Sequence, residues 1–299
     1  MKTLLERLRA KELLVADGAM GTQLFARGLK QGDCPEAMNL SSPEVLEEIA
    51  RDYAEAGAQI VQTNTFGGSA VKLADYDLQD KTAEINTRAV EAARKGVAGR
   101  ALISGSCGPS GKILKPYGDA EPDVLRAGFE KQMRALVDAG VDLLCIETMT
   151  DLNEALLALE AAKSVAGKIP AVATMTFDRT KKGFRTIMGV SIEQAADKLA
   201  AAGADVLGTN CGNGVDAMIE IIAEFKKQTA LPLLVQSNAG IPKMDGASLV
   251  YAEGPEFFKE KTPALINAGA AVIGGCCGTT PEHIRAVRER VDALRTAAS

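Results

Sequence analysis

A four-fold internal repeat is the feature that most constrains what this sequence can fold into. Each copy joins a helix end to a glycine and then to a short apolar run, and the copies occupy residues 55–61, 138–144, 201–207 and 267–273. A glycine in this setting favours the left-handed conformation that ends a helix, and the apolar run after it is typical of a buried strand. The repeat therefore predicts helices that alternate with strands.

Short apolar runs extend this alternation over the whole chain. Eight of them lie at residues 13–16, 59–63, 101–104, 142–147, 171–176, 205–209, 233–237 and 270–274. Helical patterns separate them, such as residues 43–56, 122–139, 152–165, 192–202 and 215–229. Runs that are apolar on both faces suit parallel strands buried on both sides. The pattern predicts a single α/β domain over residues 1–299, a (β/α)8 TIM barrel, with a doubly wound sheet as the alternative.

The composition of the 299-residue chain argues against several classes of function. The net charge is −5 and there is no basic block, so nucleic acid is not expected as a partner. No apolar run approaches the roughly 20 residues that cross a membrane, and the charges close to Met1 do not fit a signal peptide. Six cysteines without such a signal indicate a reducing compartment, so we expect a cytoplasmic protein whose clustered cysteines bind metal or act in catalysis.

The repeat also places chemically useful residues at equivalent positions. Counting seven residues on from each repeat glycine gives Asn64, Glu147, Asn210 and Cys276, and counting eight gives Thr65, Thr148, Cys211 and Cys277. These positions are the carboxyl ends of the second, fourth, sixth and eighth predicted strands. Active sites of such barrels lie at the carboxyl ends of the strands, so the repeat predicts one site that these residues share.

The adjacent Cys276 and Cys277 are the strongest chemical signal in the sequence. Neighbouring cysteines rarely bond to each other, because the resulting ring fits disulfide geometry poorly. Both can bind one metal ion if a third ligand comes from elsewhere, and Cys211 ends another apolar run. Three thiolates with an open fourth position are typical of a catalytic zinc, and they also suit an iron–sulfur cluster with one unligated iron. The sole histidine, His283, follows a predicted helix start and is expected to have no catalytic role.

Glycine-rich turns follow the odd-numbered predicted strands. The first strand runs into Asp-Gly-Ala-Met-Gly-Thr, which begins at Asp17, and the seventh runs into Asn-Ala-Gly, which begins at Asn238. Glycines in such turns let backbone N–H groups approach a ligand. Turns between strands and helices commonly contain glycine, however, so each turn taken alone is weak evidence of a site.

Together these motifs resemble a known family. The chain looks like the homocysteine-binding, or homocysteine S-methyltransferase, module of cobalamin-dependent methionine synthase. The matching motifs are DGAMGT at 17–22, TNTF at 63–66, ET at 147–148, NCG at 210–212, NAG at 238–240 and GGCCGTTP at 274–281. The GGCCG motif is shared by the wider homocysteine S-methyltransferase family, which includes betaine- and S-methylmethionine-dependent enzymes. The DGAMGT and NAG motifs favour the cobalamin-dependent branch.

The resemblance implies a zinc-dependent methyltransferase that activates homocysteine as a zinc thiolate and methylates it to methionine. Cys211, Cys276 and Cys277 would be the zinc ligands and thereby the catalytic residues. Asp17 and Glu147 would bind the substrate ammonium group. Their structural alternatives are a helix cap for Asp17 and a salt bridge for Glu147.

Five further residues are expected to take part in substrate binding. Gly18 and Ala19 would donate backbone N–H groups to the substrate carboxylate. Asn238 is similar to the family residue that fills the fourth zinc position before substrate arrives, and its structural alternative is a turn residue. Asn64 and Asn210 either organise the pocket or satisfy backbone groups at strand ends.

The resemblance leaves the methyl donor open. The cobalamin-dependent branch implies methylcobalamin carried by a separate corrinoid protein, with a further module that handles methyltetrahydrofolate, because the eight units account for nearly all of this chain. The wider family implies betaine or S-methylmethionine as the donor instead. A third alternative is a metal protein that uses its three-cysteine site without transferring a methyl group.

Overall fold

A computed structural model of the chain describes residues 1–245 and 248–298. The strands in these ranges are β1 (Leu14–Val15), β2 (Ile60–Gln62), β3 (Leu102–Cys107), β4 (Leu143–Met149), β5 (Ala171–Met175), β6 (Asp178–Thr180), β7 (Gly183–Arg185), β8 (Val206–Asn210), β9 (Leu233–Ser237), β10 (Lys243–Asp245), β11 (Ser248–Val250) and β12 (Ala270–Gly275). The α-helices are α1 (Leu4–Arg9), α2 (Gly21–Ala26), α3 (Met38–Ser41), α4 (Pro43–Glu55), α5 (Ala70–Leu73), α6 (Thr82–Val97), α7 (Pro122–Asp138), α8 (Leu152–Val165), α9 (Ile192–Ala201), α10 (Val215–Gln228), α11 (Pro255–Ala268) and α12 (Pro281–Ala298). The predicted strands and helices match these bounds to within a few residues.

The largest sheet in the described part of the chain is a closed ring of parallel strands. Its strands pair in the order β1, β12, β9, β8, β5, β4, β3 and β2. A parallel bridge between Ala16 and Ile60 joins β1 to β2, and the N–H of Asp17 donates to the carbonyl of Ile60 at 2.9 Å. The predicted (β/α)8 barrel is therefore confirmed. The doubly wound alternative is wrong, because an open sheet would not pair its first strand with both its second and its last.

The repeat glycines end helices as the sequence predicts. Gly57, Gly140, Gly203 and Gly269 have φ values of +97°, +92°, +91° and +117°, a region that glycine adopts without steric cost. They follow α4, α7, α9 and α11, and they precede β2, β4, β8 and β12. Each glycine turns the chain from a helix directly into a strand, so these four strands start at equivalent points after their helices.

Two hydrophobic layers hold the barrel together, because successive side chains of a strand point to opposite faces. The inner layer contains Leu14, Ala16, Ile60, Leu102, Leu143, Cys145, Val172, Val206, Leu234 and Val272, and Leu4 and Leu8 of α1 close it at the amino ends of the strands. The outer layer includes Val15, Val61, Ile103, Leu144, Leu207 and Val235, and it packs against the helices. Since apolar side chains fill the interior, the polar side chains at the carboxyl ends form the floor of a site.

The helices around the barrel are amphipathic. In α4, Leu46, Ile49 and Tyr53 are buried at a spacing of three to four residues, which matches one face of an α-helix. Pro43 occupies the first turn of this helix, where its missing N–H leaves no hydrogen bond unmade. Across residues 1–245 and 248–298, no helix is long and apolar enough to cross a membrane.

Candidate active site

Three cysteines lie together at the carboxyl end of the barrel. Cys211 follows β8, and Cys276 and Cys277 follow β12, the two strands on either side of β9. Their sulfur atoms all lie within 4.8 Å of one another, and the Sγ atoms of Cys211 and Cys277 are 3.8 Å apart. Tetrahedral zinc with Zn–S bonds of about 2.3 Å holds its sulfur atoms about 3.8 Å apart. The spacing of the three thiols therefore fits a metal site.

Backbone contacts with β9 fix the positions of these cysteines. The N–H of Cys211 donates to the carbonyl of Gln236 at 3.1 Å, and the N–H of Cys276 donates to the carbonyl of Ser237 at 2.7 Å. Cys211 has a φ of 61°, a left-handed conformation that is uncommon outside glycine and that tends to occur at functional sites. Hydrogen bonds to β9, which lies between β8 and β12, therefore fix the backbone of the cluster on both sides.

Hydrogen bonds within the cluster stabilise one negative charge. The thiols of Cys276 and Cys277 lower the pKa of Cys211 by donating to its sulfur, and the Asn238 side chain adds a further hydrogen bond. The Cys211 thiolate in turn raises the pKa of Cys276 and of Cys277. In the described structure, the Oδ1 atom of Asn238 is buried without a hydrogen-bond partner. Zinc fits this set of groups, because it binds thiolates and accepts a neutral oxygen as a fourth ligand.

Two carboxyl groups are buried beside this cluster. Asp17 follows β1 and is 1% exposed, and Glu147 lies in β4 and is 6% exposed. Burial raises the pKa of Asp17 to about 8 and that of Glu147 to about 7, and no cation among the described residues counteracts the shift. The Oδ1 atom of Asp17 is also buried without a hydrogen-bond partner in the described structure. A buried carboxylate without a cation is costly, so the pair is suited to a ligand that brings its own positive charge.

Neutral donors orient the Glu147 carboxylate. Its Oε1 atom accepts from Nε2 of Gln62 at 3.0 Å and from the hydroxyl of Ser106, and its Oε2 atom accepts from Nδ2 of Asn210 at 3.2 Å. The backbone N–H of Gln62 donates to Oδ2 of Asp17 at 2.7 Å. Gln62 therefore contacts both carboxyl groups and fixes one relative to the other.

The turn after β1 forms another wall of the site. A side chain could not replace the hydrogen of Gly18, because a Cβ there would lie 2.6 Å from Oγ1 of Thr279 and 2.9 Å from Oη of Tyr53. The N–H of Ala19 donates to Oγ1 of Thr279 at 3.1 Å, and its carbonyl accepts from the hydroxyl of Tyr53 at 2.8 Å. The structure thus places both predicted residues at the site, with the Ala19 N–H already engaged by Thr279.

Many of the groups described above line one cavity at the barrel mouth, whereas Asp17 is buried behind its wall. The cavity has a volume of about 240 Å³ and reaches from the three cysteines to Glu147. Its wall includes Gly18, Ala19, Gln62, Asn64, Ser106, Glu147, Thr148, Cys211, Cys276 and Cys277, together with the apolar residues Met20, Leu24, Pro35 and Phe66. The cavity therefore has a sulfur-rich end, a carboxylate end and an apolar flank.

The sequence left two roles open for each of Asn64, Asn210 and Asn238, and the structure shows where each side chain lies. Asn64 lines the cavity, while its Nδ2 atom donates to the carbonyl of Pro35 at 2.8 Å and to Oδ1 of Asn39 at 2.9 Å. Asn210 and Asn238 are 0% and 4% exposed and lie behind the cavity wall. Asn238 reaches the cluster through its hydrogen bond to Cys211, whereas Asn210 contacts Glu147.

Sequence reasoning missed Gln62, Ser106 and Thr279 as site residues. Gln62 and Ser106 lie in β2 and β3, close to the carboxyl ends of these strands, which was the available signal. Thr279 follows the cysteine pair, and its hydroxyl donates to the carbonyl of Cys276 at 2.7 Å. Its contact with Ala19 joins the first and last units of the barrel, which no local pattern indicates.

His283 and Cys145 both have structural surroundings. Nδ1 of His283 accepts from the N–H of Thr280 at 3.1 Å, and its Nε2 lies 2.9 Å from the carbonyl oxygen of Glu253. Cys145 belongs to the inner layer of the barrel. Burial raises the pKa of this thiol well above its ordinary value, so a reactive thiolate is disfavoured there.

The fold and the site define a class: a (β/α)8 barrel with a cluster of three thiols that fits a metal ion, and with buried carboxyl groups, at its mouth. The chain belongs to the homocysteine S-methyltransferase family, whose family model matches residues 14–291. This assignment agrees with the resemblance in the sequence motifs. Membership of this family supports a methyltransferase.

Curated relatives and solved structures agree with this assignment. The chain is 36% identical over 306 residues to methionine synthase of Mycobacterium leprae (strain TN), and 34% identical over 303 residues to that of Mycobacterium tuberculosis (strain ATCC 25618 / H37Rv). Each alignment covers 96% of this chain and 25% of the relative, so the chain spans about a quarter of their length.

The fold is similar to that of the homocysteine methyltransferase MmuM from Escherichia coli. The metallated form of MmuM superposes with a TM-score of 0.80 at 27% identity, covering 96% of this chain and 99% of MmuM. The apo form gives a TM-score of 0.73 at 26% identity, covering 97% of this chain and 98% of MmuM. The chain is therefore similar over at least 96% of its length to a homocysteine methyltransferase that it covers almost completely.

Proposed function

We propose that this protein transfers a methyl group to the sulfur of homocysteine and so produces methionine, with Zn²⁺ held by Cys211, Cys276 and Cys277. The observation that carries the proposal is a single cavity with three clustered sulfurs at one end and the Glu147 carboxylate at the other. Homocysteine carries a thiol and an ammonium group at opposite ends, so its polar groups match both ends of the cavity. Membership of the homocysteine S-methyltransferase family supports the same reaction class.

The role of the metal follows from the chemistry of thiols. A bound Zn²⁺ lowers the pKa of a coordinated thiol and thereby supplies homocysteine as the nucleophilic thiolate at neutral pH. The chain contributes three cysteinates, whose negative charge keeps electron density high on sulfur. Neutral histidine ligands would better suit the polarisation of a carbonyl group. Asn238 would supply the fourth ligand before the substrate binds, through its buried Oδ1 atom.

The carboxyl groups would hold the amino-acid end of the substrate. Glu147 binds the ammonium group from the cavity wall, and Asp17 adds a second carboxyl group behind that wall. The ammonium charge lowers both raised pKa values and replaces the missing cation. The substrate carboxylate would receive the backbone N–H groups of Gly18 and Ala19. The Ala19 N–H already donates to the hydroxyl of Thr279 at 3.1 Å. When the substrate binds, this N–H would donate to both the hydroxyl and the substrate carboxylate, or the hydroxyl would rotate away.

The donor that best suits the sequence motifs is methylcobalamin on a separate corrinoid protein. The methionine synthase relatives support this branch, and a further module would handle methyltetrahydrofolate. Betaine or S-methylmethionine is the alternative donor. The chain is also similar in structure to MmuM and covers 99% of that homocysteine methyltransferase. This similarity is the reason to test donors other than a corrinoid protein.

A donor comparison tests the proposal directly. The zinc-loaded chain would be incubated with homocysteine and one donor at a time, and methionine would be measured by mass spectrometry. We expect methionine from methylcobalamin, and none from betaine, S-methylmethionine or methyltetrahydrofolate alone. The Cys276→Ser variant serves as the control for reaction that does not need the metal site. Turnover with betaine or S-methylmethionine, and none with methylcobalamin, would assign the chain to the alternative branch.

A further inference from the structure

Every polar atom of the Asn210 side chain is used inside the protein. Its Oδ1 atom accepts from the N–H of Thr148 at 2.8 Å and from the hydroxyl of Thr174 at 2.7 Å. Its Nδ2 atom donates to Oε2 of Glu147 at 3.2 Å and to Oγ1 of Thr148 at 2.7 Å. A carboxamide has two N–H donors and two lone pairs on its oxygen. Asn210 therefore has no hydrogen bond left to give to a substrate, and its role must act through its neighbours.

Asn210 holds an unusual piece of backbone in place. Thr148 has a φ of 61°, a conformation that β-branched residues rarely adopt. The regular pairing of β4 with β5 is interrupted between Ile146 and Met149, and interruptions of this kind re-aim side chains beside active sites. Both the N–H and the hydroxyl of Thr148 are bound to Asn210. Because Thr148 directly follows Glu147, the contact fixes the direction in which Glu147 points.

Asn210 is also a direct chain neighbour of the cysteine cluster. Asn210 is the last residue of β8 and directly precedes Cys211, which also has a φ of 61°. β5 lies between β4 and β8 in the sheet, and its Thr174 hydroxyl supports the Asn210 oxygen. One buried side chain thus spans three neighbouring strands and connects the two ends of the cavity.

We infer that Asn210 is a positioning residue that sets the distance between the Glu147 carboxylate and the sulfur-binding end of the site at Cys211. The inference rests on the proposed function, because it needs Glu147 to bind the ammonium group and Cys211 to hold the metal. This distance would select substrates whose thiol and ammonium groups are separated by the matching length. Homocysteine satisfies both ends at once, whereas a thiol without an ammonium group satisfies only the sulfur end.

The test compares the binding of two thiols to the zinc-loaded full chain. One is homocysteine, and the other is 4-mercaptobutanoate, which is homocysteine without its amino group. Asn210→Asp keeps the shape and the acceptor oxygen, but it loses both N–H donors and places a second carboxylate against Glu147. We expect this variant to bind homocysteine about 10–100-fold more weakly, comparable to the effect of losing an outer-shell partner of a metal ligand. Binding of 4-mercaptobutanoate should hardly change, and calorimetry measures both dissociation constants.

Two further variants separate positioning from folding. Asn210→Ala removes all four contacts and should lower the preference for homocysteine in the same direction. Asn86→Ala is the matched control, because Asn86 is another fully buried asparagine. Its Nδ2 atom donates to the carbonyl of Gly68, in the loop between β2 and α5, and to that of Thr82 in α6. We expect Asn86→Ala to lower the unfolding temperature while leaving the ratio of the two dissociation constants unchanged.

Each contrary outcome has a definite meaning. Equal losses for both thiols in the Asn210 variants, or an unchanged ratio, would overturn the positioning role. Loss of zinc from the Asn210 variants would overturn it as well, because the residue would then act on the metal site itself. Glu147→Gln tells the two proposals apart. If Glu147→Gln abolishes the preference and the Asn210 variants keep it, only the positioning role fails. If Glu147→Gln keeps the preference, the ammonium site of the proposed function fails too.

Discussion

The carboxylates at the two ends of the barrel have opposite electrostatic surroundings. At the amino end, Glu12 pairs with the guanidinium of Arg7 at 2.6 Å and with that of Arg295 at 3.4 Å. The hydrogen bond from Arg7 is the main reason that the pKa of Glu12 falls to about 2. At the carboxyl end, Glu147 has only neutral donors, and burial raises its pKa to about 7. A carboxylate with its own cation supports the fold, while one without a cation is ready for the charge of a ligand.

The largest expected effect tests whether the carboxyl end is a metal site. Cys276→Ser should lower zinc affinity by more than the roughly 100-fold that the loss of an outer-shell partner causes, because it removes a direct ligand. The fold should persist, since the three cysteines lie on the cavity wall and not in the barrel core. Metal analysis and circular dichroism together check this result.

A control in the core sharpens the same comparison. Cys145 lies in the inner layer of the barrel, so Cys145→Ala should lower the unfolding temperature and still bind one zinc per chain. Full zinc occupancy in Cys276→Ser would refute the metal assignment.

The second expectation concerns the ammonium site. Glu147→Gln keeps the shape of the side chain but removes its charge, and it should weaken homocysteine binding by about 1.5–3 kcal/mol, the scale of a charged hydrogen bond. Titration calorimetry of the zinc-loaded protein measures the change. Unchanged affinity would show that Glu147 does not contact the ammonium group.

The third expectation uses the pH dependence of stability without substrate. The folded protein keeps the proton of Asp17 up to about pH 8, whereas an exposed aspartate releases it near its ordinary pKa of 3.8. Unfolding between these values therefore releases a proton, and stability falls as the pH rises, by up to about 1.4 kcal/mol per pH unit. Denaturant unfolding from pH 5 to pH 8 measures this slope.

Asp17→Asn isolates the contribution of that one group. Asparagine does not titrate and still offers an oxygen to the N–H of Gln62. We expect the variant to unfold with a shallower dependence on pH than the parent chain. An identical slope in the two proteins would mean that Asp17 is ionised in the folded state at neutral pH.

The smallest effect should come from the amino end. Glu12→Gln removes a half-buried ion pair and should lower stability at pH 7 by about 1 kcal/mol. The pKa of Glu12 is lowered in the folded state, so its contribution is present above the unfolded value and disappears as the pH falls toward 2. Homocysteine binding should not change, and a loss of binding would contradict the separation of the two ends.

Much of the fold could be predicted from the sequence, because its signals are local. The repeat glycines, such as Gly57 and Gly203, adopt the left-handed conformation that their positions indicate. The same repeat placed Glu147, Cys211 and Cys276 at equivalent strand ends, and the barrel then brings those ends to one mouth. Side-chain chemistry and chain symmetry were sufficient for this part of the site.

The rest of the site depends on contacts between distant segments. Gln62 acts through a hydrogen bond to Asp17, and Thr279 acts through one to Ala19. Asn210 could be named as a site residue from its position, but the sequence did not reveal that its amide is fully occupied by protein partners. These roles depend on which side chains come into contact in the folded barrel. The spacing of residues along the chain does not predict those contacts.

The junction between β1 and β2 limits which substitutions the protein can accept at Asp17. β1 is only two residues long, and the Oδ2 atom of Asp17 accepts the N–H of Gln62 at 2.7 Å beyond its end. A side chain there continues the hydrogen bonding that joins the first strand to the second. If Asp17 also binds the substrate, as proposed, a substitution there would affect two properties, the amount of folded protein and the rate of turnover. Asparagine would then preserve the first property and lose the second, whereas alanine would lose both, because only asparagine keeps an oxygen for the N–H of Gln62.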